Sequence, residues 1–492
     1  MNALKNYING VWTESASKQT IDVLNPANQE VLARVPFGSE TVQDMHIAIE
    51  KAHQAYLEWK DVPAMKRVQP LFKLKTLLED HRDEIARLIT SECGKTYAES
   101  VGELQRAIEN VEVACGTYVM AQSEFSENIA SGIDSFMIRQ PLGVCGCITP
   151  FNFPGMIPFW FLPYAIATGN AFIIKPSEKV PMTMQYVFEL IDEKLDLPRG
   201  LLSLVHGAKD AVDAMLQHSM VRAISFVGST AVAKYVYSEG TKYGKRVQAQ
   251  GGAKNPVVIM PDADLEMTTQ IITDSVYGCA GQRCLAASVI IPTGDIKRQF
   301  TEALVEAAKS RKVGYGLEAN VEMGPVITPE SKQRIEGLIQ KGRDEGGNLL
   351  LDGRNVKISG YEKGNFVAPT ILEGVPLQGE IMNTEIFGPV MSLVNFDELD
   401  QTIDFINRGR YGNMACIFTR DGLAARKFRS EVMAGNVGVN IGVAAPVAQF
   451  PFSGWKESFF GDLHGQGRHA IEFFTQTKVV IERWPKNWNR KF

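Results

Sequence analysis

The chain has no Gly-x-Gly-x-x-Gly turn and no His-Glu-x-x-His pair. Its one close cysteine pair, Cys145-x-Cys147, has no second Cys or His pair nearby. The first absence removes the ordinary dinucleotide fingerprint, and the others remove the common local zinc patterns, so no metal is expected. No long basic run occurs and the net charge is −5. Neither nucleic acid nor an anionic membrane surface is therefore an expected partner. Cysteines are few, odd in number and scattered, at 93, 115, 145, 147, 279, 284 and 416. That pattern excludes a disulfide framework and fits a reducing, cytoplasmic setting. The opening MNALKNYINGVWTESASKQT has no apolar core, so no secretory signal is expected. The longest apolar stretch, GMIPFWFLPYAIATGNAFII at 155–174, is interrupted by Pro158, Pro163, Gly169 and Asn170. Its end reads as a buried strand over 171–175 rather than as part of a membrane span. Internal repeats and low-complexity linkers are also absent.

What is present is an ordinary globular composition over 492 residues, 45 % hydrophobic and 22 % charged. That length allows about three tightly packed lobes. Residues 1–35 read as short strands and turns. Apolar residues at three- and four-residue spacing make 41–120 helical. A strand-like excursion covers 124–140. Strands are then predicted at 144–149, 171–175, 202–206 and 223–227, with helices at 182–196 and 210–218 between them. This is the α/β pattern of a parallel sheet covered on both faces. A second α/β region begins near Lys254. Its predicted helices are 265–280, 296–312 and 329–345, and its predicted strands are 288–292, 348–351, 391–395 and 435–440. Strand texture returns at 477–482.

Gly281-Gln282-Arg283-Cys284 is the centre of the chain. A cysteine among small residues leaves room for a substrate, and an adjacent cation favours the thiolate nucleophile. A buried structural cysteine is the plainer reading. Thr149-Pro150-Phe151-Asn152-Phe153-Pro154 follows a strand, where the Asn152 amide either donates to an oxyanion or closes a proline-flanked turn. Lys175-Pro176-Ser177-Glu178 also ends a strand. There Lys175 and Glu178 suit ribose hydroxyls and disfavour a 2′-phosphate, unless Ser177 merely caps a helix. Phe226-Val227-Gly228-Ser229-Thr230 opens a helix whose amides suit a pyrophosphate. Glu385-Ile386-Phe387-Gly388-Pro389-Val390 either grips a ribose or is structural. Arg106 sits in a helix among polar neighbours, as a surface cation or a ligand for an anion.

Six of these motifs, in order, resemble the aldehyde dehydrogenase superfamily over essentially the whole chain: PFNFP at 150–154, IIKPSE at 173–178, FVGST at 226–230, GAKNP at 252–256, GQRC at 281–284 and EIFGPV at 385–390. The resemblance implies an α/β fold with two parallel-sheet domains, one for the cofactor and one catalytic, plus a small β oligomerisation element. The expected boundaries are 1–124 and 142–252 for NAD binding and 253–445 for catalysis. Residues 125–141 and 446–492 would supply the oligomerisation element and tail. It implies Cys284 as nucleophile and Asn152 as oxyanion donor. NAD contacts are expected from Thr149, Phe151, Lys175, Glu178, Lys179, Ser229, Gly251, Glu385 and Phe387. Arg106 and Arg283 are the candidates for holding a substrate carboxylate. A homo-oligomer, dimer or tetramer, is expected.

Within that superfamily, GELQRAIENVEV at 102–113, GAKN at 252–255 and GWK at 454–456 with SFFGDLH at 458–464 are similar to CoA-acylating methylmalonate-semialdehyde dehydrogenases. Hydrolytic relatives usually carry Glu-Leu-Gly-Gly-Lys where this chain has Gln250-Gly251-Gly252-Ala253-Lys254. An amide cannot take a proton from water at neutral pH. CoA is therefore the expected co-substrate, and malonate or methylmalonate semialdehyde the expected aldehyde. The alternatives are a hydrolytic NAD-dependent enzyme acting on another anionic aldehyde, and a non-catalytic relative on the same fold. Ala233, Pro256 and the loop 442–452 depart from the semialdehyde pattern and bear on which aldehyde is used.

Overall fold

The computed structural model describes residues 3–484. Strand Ala171–Lys175 is buried along its whole length, as its unbroken AFIIK run requires of a strand covered on both faces. It lies in an eight-stranded sheet ordered Val11–Thr13, Asn6–Ile8, Leu202–Leu204, Ala171–Lys175, Val144–Ile148, Val221–Val227, Arg246–Gln250 and Phe459–Phe460. The strands from Leu202–Leu204 to Arg246–Gln250 are parallel. Winding reverses between Val144–Ile148, the first of them in the chain, and Val221–Val227, the fourth. The carboxyl ends of strands at such a switch point frame a ligand crevice. The turns beginning at Thr149 and Gly228 therefore open onto one place.

A seven-stranded sheet follows the order Asn348–Leu351, Thr370–Glu373, Val390–Leu393, Ala287–Pro292, Asn255–Ile259, Met414–Phe418 and Asn436–Val439. Only the Asn348–Leu351 pairing is antiparallel. Gln250 ends a strand of the first sheet and Asn255 begins a strand of the second. The four-residue link brings the carboxyl edge of one sheet against the amino edge of the other. The segment holding Cys284 lies at that meeting, between helix Leu265–Tyr277 and strand Ala287–Pro292.

Helix Tyr97–Cys115 lies beside it. Thr96 and Glu99 form a reciprocal capping box that satisfies its first amides. Leu104, Ala107, Ile108, Val111 and Ala114 form its buried stripe. Gly102, Arg106 and Glu109 are left to line a cavity on another face.

The apolar stretch 155–174 becomes a 3₁₀ turn at Ile157–Trp160, a short helix at Leu162–Ala167 and the buried strand. Among the described residues no helix is long and apolar enough to cross a membrane. A third sheet pairs Thr475–Arg483, Ile133–Pro141 and Phe125–Ala130. It leaves Phe125, Ile129, Val479 and Ile481 more than half exposed, at 61, 54, 60 and 67 %. The stretch 446–492 thus contributes to three places. Trp455–Lys456 pairs with Tyr411–Gly412, Phe459–Phe460 edges the first sheet, and Thr475–Arg483 joins the third. Residues 485–492 lie outside the described residues.

Candidate active site

Cys284 is the one part-exposed cysteine; the other six are buried. Its loop begins with three residues in the left-handed region, Cys279 (φ 52°), Ala280 (φ 53°) and Gly281 (φ 71°). Two of these are not glycine, so the turn is strained and must be held by its surroundings. Glu99 accepts the Cys279 amide at 2.6 Å. Gln282 donates to the Cys279 carbonyl and accepts the Ile327 amide. Asn255 and Asn413 each donate to the Cys284 carbonyl at 2.8 Å. A Cβ on Gly281 would lie 2.1 Å from the Gly388 carbonyl, so the GQRC and EIFGPV loops touch through a position only glycine can fill.

Asn152 is buried, and its Nδ2 donates to the Gln282 carbonyl at 3.0 Å. This sets the amide on the Cys284 loop, at the carbonyl two residues before the cysteine. The Cys284 thiol is pushed up to about 12, first by burial and then by the Glu385 carboxylate. Arg283 and the Cys284 and Leu285 amides oppose that shift without overcoming it. Arg283 thus favours the thiolate, as its place beside the cysteine implies, but burial and Glu385 outweigh it. The Arg283 guanidinium packs over Gly278 and donates to the Asp274 and Ser275 carbonyls, at 2.6 and 2.9 Å. Carbonyls at the helix end draw the cation toward them. Its Nε is buried and has no partner.

Cys284, Arg283 and Arg106 line one cavity of about 360 Å³, with Phe153, Trp160 and Phe452 among its apolar walls. Arg106 is half-exposed and pairs with Glu109 at 2.9 Å. Such a pair contributes at most about 1 kcal/mol, so an incoming carboxylate can displace it. Gln250 is buried, and its Nε2 donates to the Phe452 carbonyl at 2.7 Å.

The residues expected at the cofactor converge on the switch-point crevice. Lys175 Nζ meets Glu178 Oε2 at 3.3 Å. Burial works against the Glu178 charge, but Lys175 and hydrogen bonding outweigh it and hold the carboxyl below the usual range. Thr149 follows the same strand edge, its amide donating to the Lys175 carbonyl. Ser229 precedes helix Thr230–Lys242, and its hydroxyl caps no amide there. Phe151 and Phe387 meet edge to face at 5.8 Å, with the Lys179 ammonium 5.5 Å from the Phe151 ring. Glu385 accepts the Ala253 amide at 2.9 Å, and burial raises its carboxyl to about 7. Gly251 donates to the Ser458 carbonyl, and a Cβ there would meet the Glu457 carbonyl at 2.8 Å. A Cβ on Gly252 would lie 2.5 Å from Glu385 Oε2. The crevice thus offers a bare glycine floor, two carboxylates suited to ribose hydroxyls, an uncapped helix start and an aromatic pair, a donor set that fits a dinucleotide.

Sequence reasoning missed several supports of this site: Glu99, Gln282, Asn255, Asn413, and Arg334, which donates to the Glu385 and Ile386 carbonyls. Gln282 and Asn255 fall inside the GQRC and GAKNP motifs, but their partners there are distant in sequence and unsignalled.

Two α/β sheets, a loop carrying a part-exposed cysteine and a glycine-floored crevice that suits a dinucleotide together define a dehydrogenase. The aldehyde dehydrogenase family model matches residues 12–480, and the chain belongs to that family. It is 48 % identical to malonate-semialdehyde dehydrogenase 2 of Oceanobacillus iheyensis, over 98 % of both chains. It is also 48 % identical to malonate-semialdehyde dehydrogenase 1 of Geobacillus thermodenitrificans, over 98 % of this chain and 99 % of the relative. Among solved structures, methylmalonate-semialdehyde dehydrogenase from Oceanimonas doudoroffii superposes with a TM-score of 0.96 at 41 % identity, covering 99 % of each chain. A candidate methylmalonate-semialdehyde dehydrogenase from Sinorhizobium meliloti 1021, complexed with NAD, gives the same score, identity and coverage.

Proposed function

We propose that the chain oxidises malonate or methylmalonate semialdehyde with NAD and passes the acyl group, after loss of carbon dioxide, to CoA. The observation that carries this reading is the single cavity holding Cys284, Arg106 and Arg283. It unites a nucleophile with two cations for a small carboxylated aldehyde.

The Cys284 sulfur adds to the aldehyde carbon, and the oxygen becomes an oxyanion between Asn152 Nδ2 and the Cys284 amide. The Asn152 amide has two N–H donors, so one keeps the Gln282 carbonyl while the other serves the oxyanion. Lys175, Glu178, Ser229, Gly251 and Glu385, with Thr149, Phe151, Lys179 and Phe387 around them, would hold NAD, which would supply the hydride acceptor. A thioester then remains on Cys284. Its carbonyl lies beta to the substrate carboxylate, so the electrons of the breaking C–CO₂ bond flow onto the thioester oxygen. The oxyanion site stabilises that enolate until it is protonated. CoA thiolate then attacks, Cys284 leaves, and acetyl-CoA or propionyl-CoA forms. The test is product identification with malonate and methylmalonate semialdehydes, NAD and CoA. Free acid formed at the same rate with or without CoA would favour the hydrolytic alternative.

Substrate anion recognition has its own test. Arg106→Ala and Arg283→Ala should each raise KM for malonate semialdehyde, by roughly 10- to 100-fold for a lost charged hydrogen bond. Propanal, which has no carboxylate, should be affected far less. Equal losses for both aldehydes would remove the arginines from substrate binding. Cofactor choice gives another. Glu178 should make kcat/KM higher with NAD than with NADP, because a 2′-phosphate would face a part-exposed carboxylate that Lys175 keeps ionised. Equal efficiencies would show that Glu178 does not meet the ribose.

The proposed division is 1–124 and 142–252 for the cofactor and 253–445 for catalysis, with 125–141 and 446–492 as the oligomerisation element and tail. The apolar side chains exposed on the third sheet support that last assignment, in a dimer or tetramer. Seven unpaired cysteines support a cytoplasmic setting.

A further inference from the structure

Lys95 and Glu103 form a buried ion pair at 2.6 Å, with side chains 1 and 0 % exposed. Every polar contact of this pair is spent on the loop that follows strand Val144–Ile148. Lys95 Nζ also donates to the Asn152 carbonyl at 2.6 Å and stands 3.9 Å from the centre of the Phe153 ring. Glu103 Oε1 accepts the Gly155 amide at 2.6 Å and the Met156 amide at 3.1 Å. One cation and one carboxylate thus grip both ends of the segment 152–156. The Asn152 side chain projects from it onto the Cys284 loop.

Burying both charges is costly, and a packed apolar pair would serve stability as well. A loop that must present one amide to a developing oxyanion has a stricter need. Stabilisation of that kind depends on donors fixed before the charge appears, and small displacements cost large factors in rate. Lys95 fixes Asn152 by its own carbonyl, next to the side chain that does the work. Glu103 fixes the turn three and four residues further on. Their observed hydrogen bonds go to each other and to this loop.

We propose that Lys95 and Glu103 are positioning residues that hold Asn152 in its oxyanion-binding pose, so that their contribution to rate passes through the Asn152 amide. This rests on the reading of Asn152 as oxyanion donor. The test is a double-mutant cycle on the single-turnover rate of NADH formation with malonate semialdehyde, using Lys95→Met, Asn152→Ala and both together. Lys95→Met alone should slow the burst by about 100-fold, the scale of a lost oxyanion donor. In the Asn152→Ala background it should slow it by less than about threefold, because the amide it positions is gone. The NAD dissociation constant, measured by fluorescence on the same preparations, should stay within about twofold and certifies a folded cofactor lobe. Glu103→Gln keeps the size of the side chain and should reproduce the pattern should Lys95→Met fail to fold. Multiplicative losses in the double variant would overturn the proposal. So would an NAD affinity that falls in step with the burst, since the pair would then be a general support of the fold. An Asn152→Ala variant with an undiminished burst would refute the oxyanion reading itself, and the proposal with it.

Discussion

Cys284→Ala should lose NADH formation by roughly 10⁴-fold or more, because the other thiol at the cavity, Cys279, is buried. NAD should still bind with unchanged affinity, since the crevice residues that converge on it belong to the first sheet and the 385–388 loop. The six other cysteines are buried and cannot substitute. A pH signature accompanies this loss. Burial first, and then Glu385, push the Cys284 thiol up to about 12. A raised thiol pKa means that the protonated form dominates at neutral pH. The thiolate fraction then grows about tenfold per pH unit until that pKa is reached. Inactivation of the free enzyme by iodoacetamide should accordingly accelerate from pH 7 to 9 without levelling off. A plateau below pH 8 would mean that the thiol ionises more readily than its surroundings dictate. Turnover in Cys284→Ala, in a preparation free of wild type, would remove the nucleophile assignment altogether.

The parts legible in sequence are those where one residue type has one physical solution. Ala171–Lys175 reads as a strand because an unbroken apolar run of that length must be covered on both faces. Strand Arg246–Gln250, RVQAQ, carries no such signal. Its glutamines are buried because Gln248 donates to Ser225 and Gln250 to Phe452, partners supplied by distant parts of the chain. The Lys95–Glu103 pair is equally hidden. A lysine and a glutamate on a helical stretch read as solvated, and nothing local tells that a loop from another element will close over them. The motif residues were legible as identities but less so as directions. Arg283 stands beside Cys284 in sequence, yet its Nη2 is spent on the carbonyls ending helix Leu265–Tyr277, while its buried Nε has no partner.

Without CoA, the enzyme should give one fast equivalent of NADH per site and then nearly stop. Hydride transfer needs no base at position 250, so the acyl-enzyme forms at its normal rate. Water attacks a thioester poorly unless a base removes its proton in the transition state, a contribution typically worth 10²- to 10⁴-fold. Gln250 stands where hydrolytic relatives usually carry a glutamate, and its amide is not basic. That amide is also engaged, donating to the Phe452 carbonyl at 2.7 Å within the wall of the Cys284 cavity. Steady turnover without CoA should therefore be at least about 100-fold slower than with it, the lower end of that range. CoA thiol brings a better nucleophile than water and should restore turnover while converting the product to an acyl-CoA. Gln250→Glu gives the converse. A carboxylate cannot donate to the Phe452 carbonyl, so it is repelled from that contact and driven toward the cavity, where it can hold a water. The CoA-independent rate should rise by about 10-fold or more, with the burst little changed, because only deacylation gains a base. Stopped-flow NADH absorbance resolves the two phases, and chromatography separates acid from acyl-CoA. Linear NADH production in the wild type without a burst, at the rate seen with CoA and with free acid as product, would overturn the acylating reading and place the activating base elsewhere in the cavity.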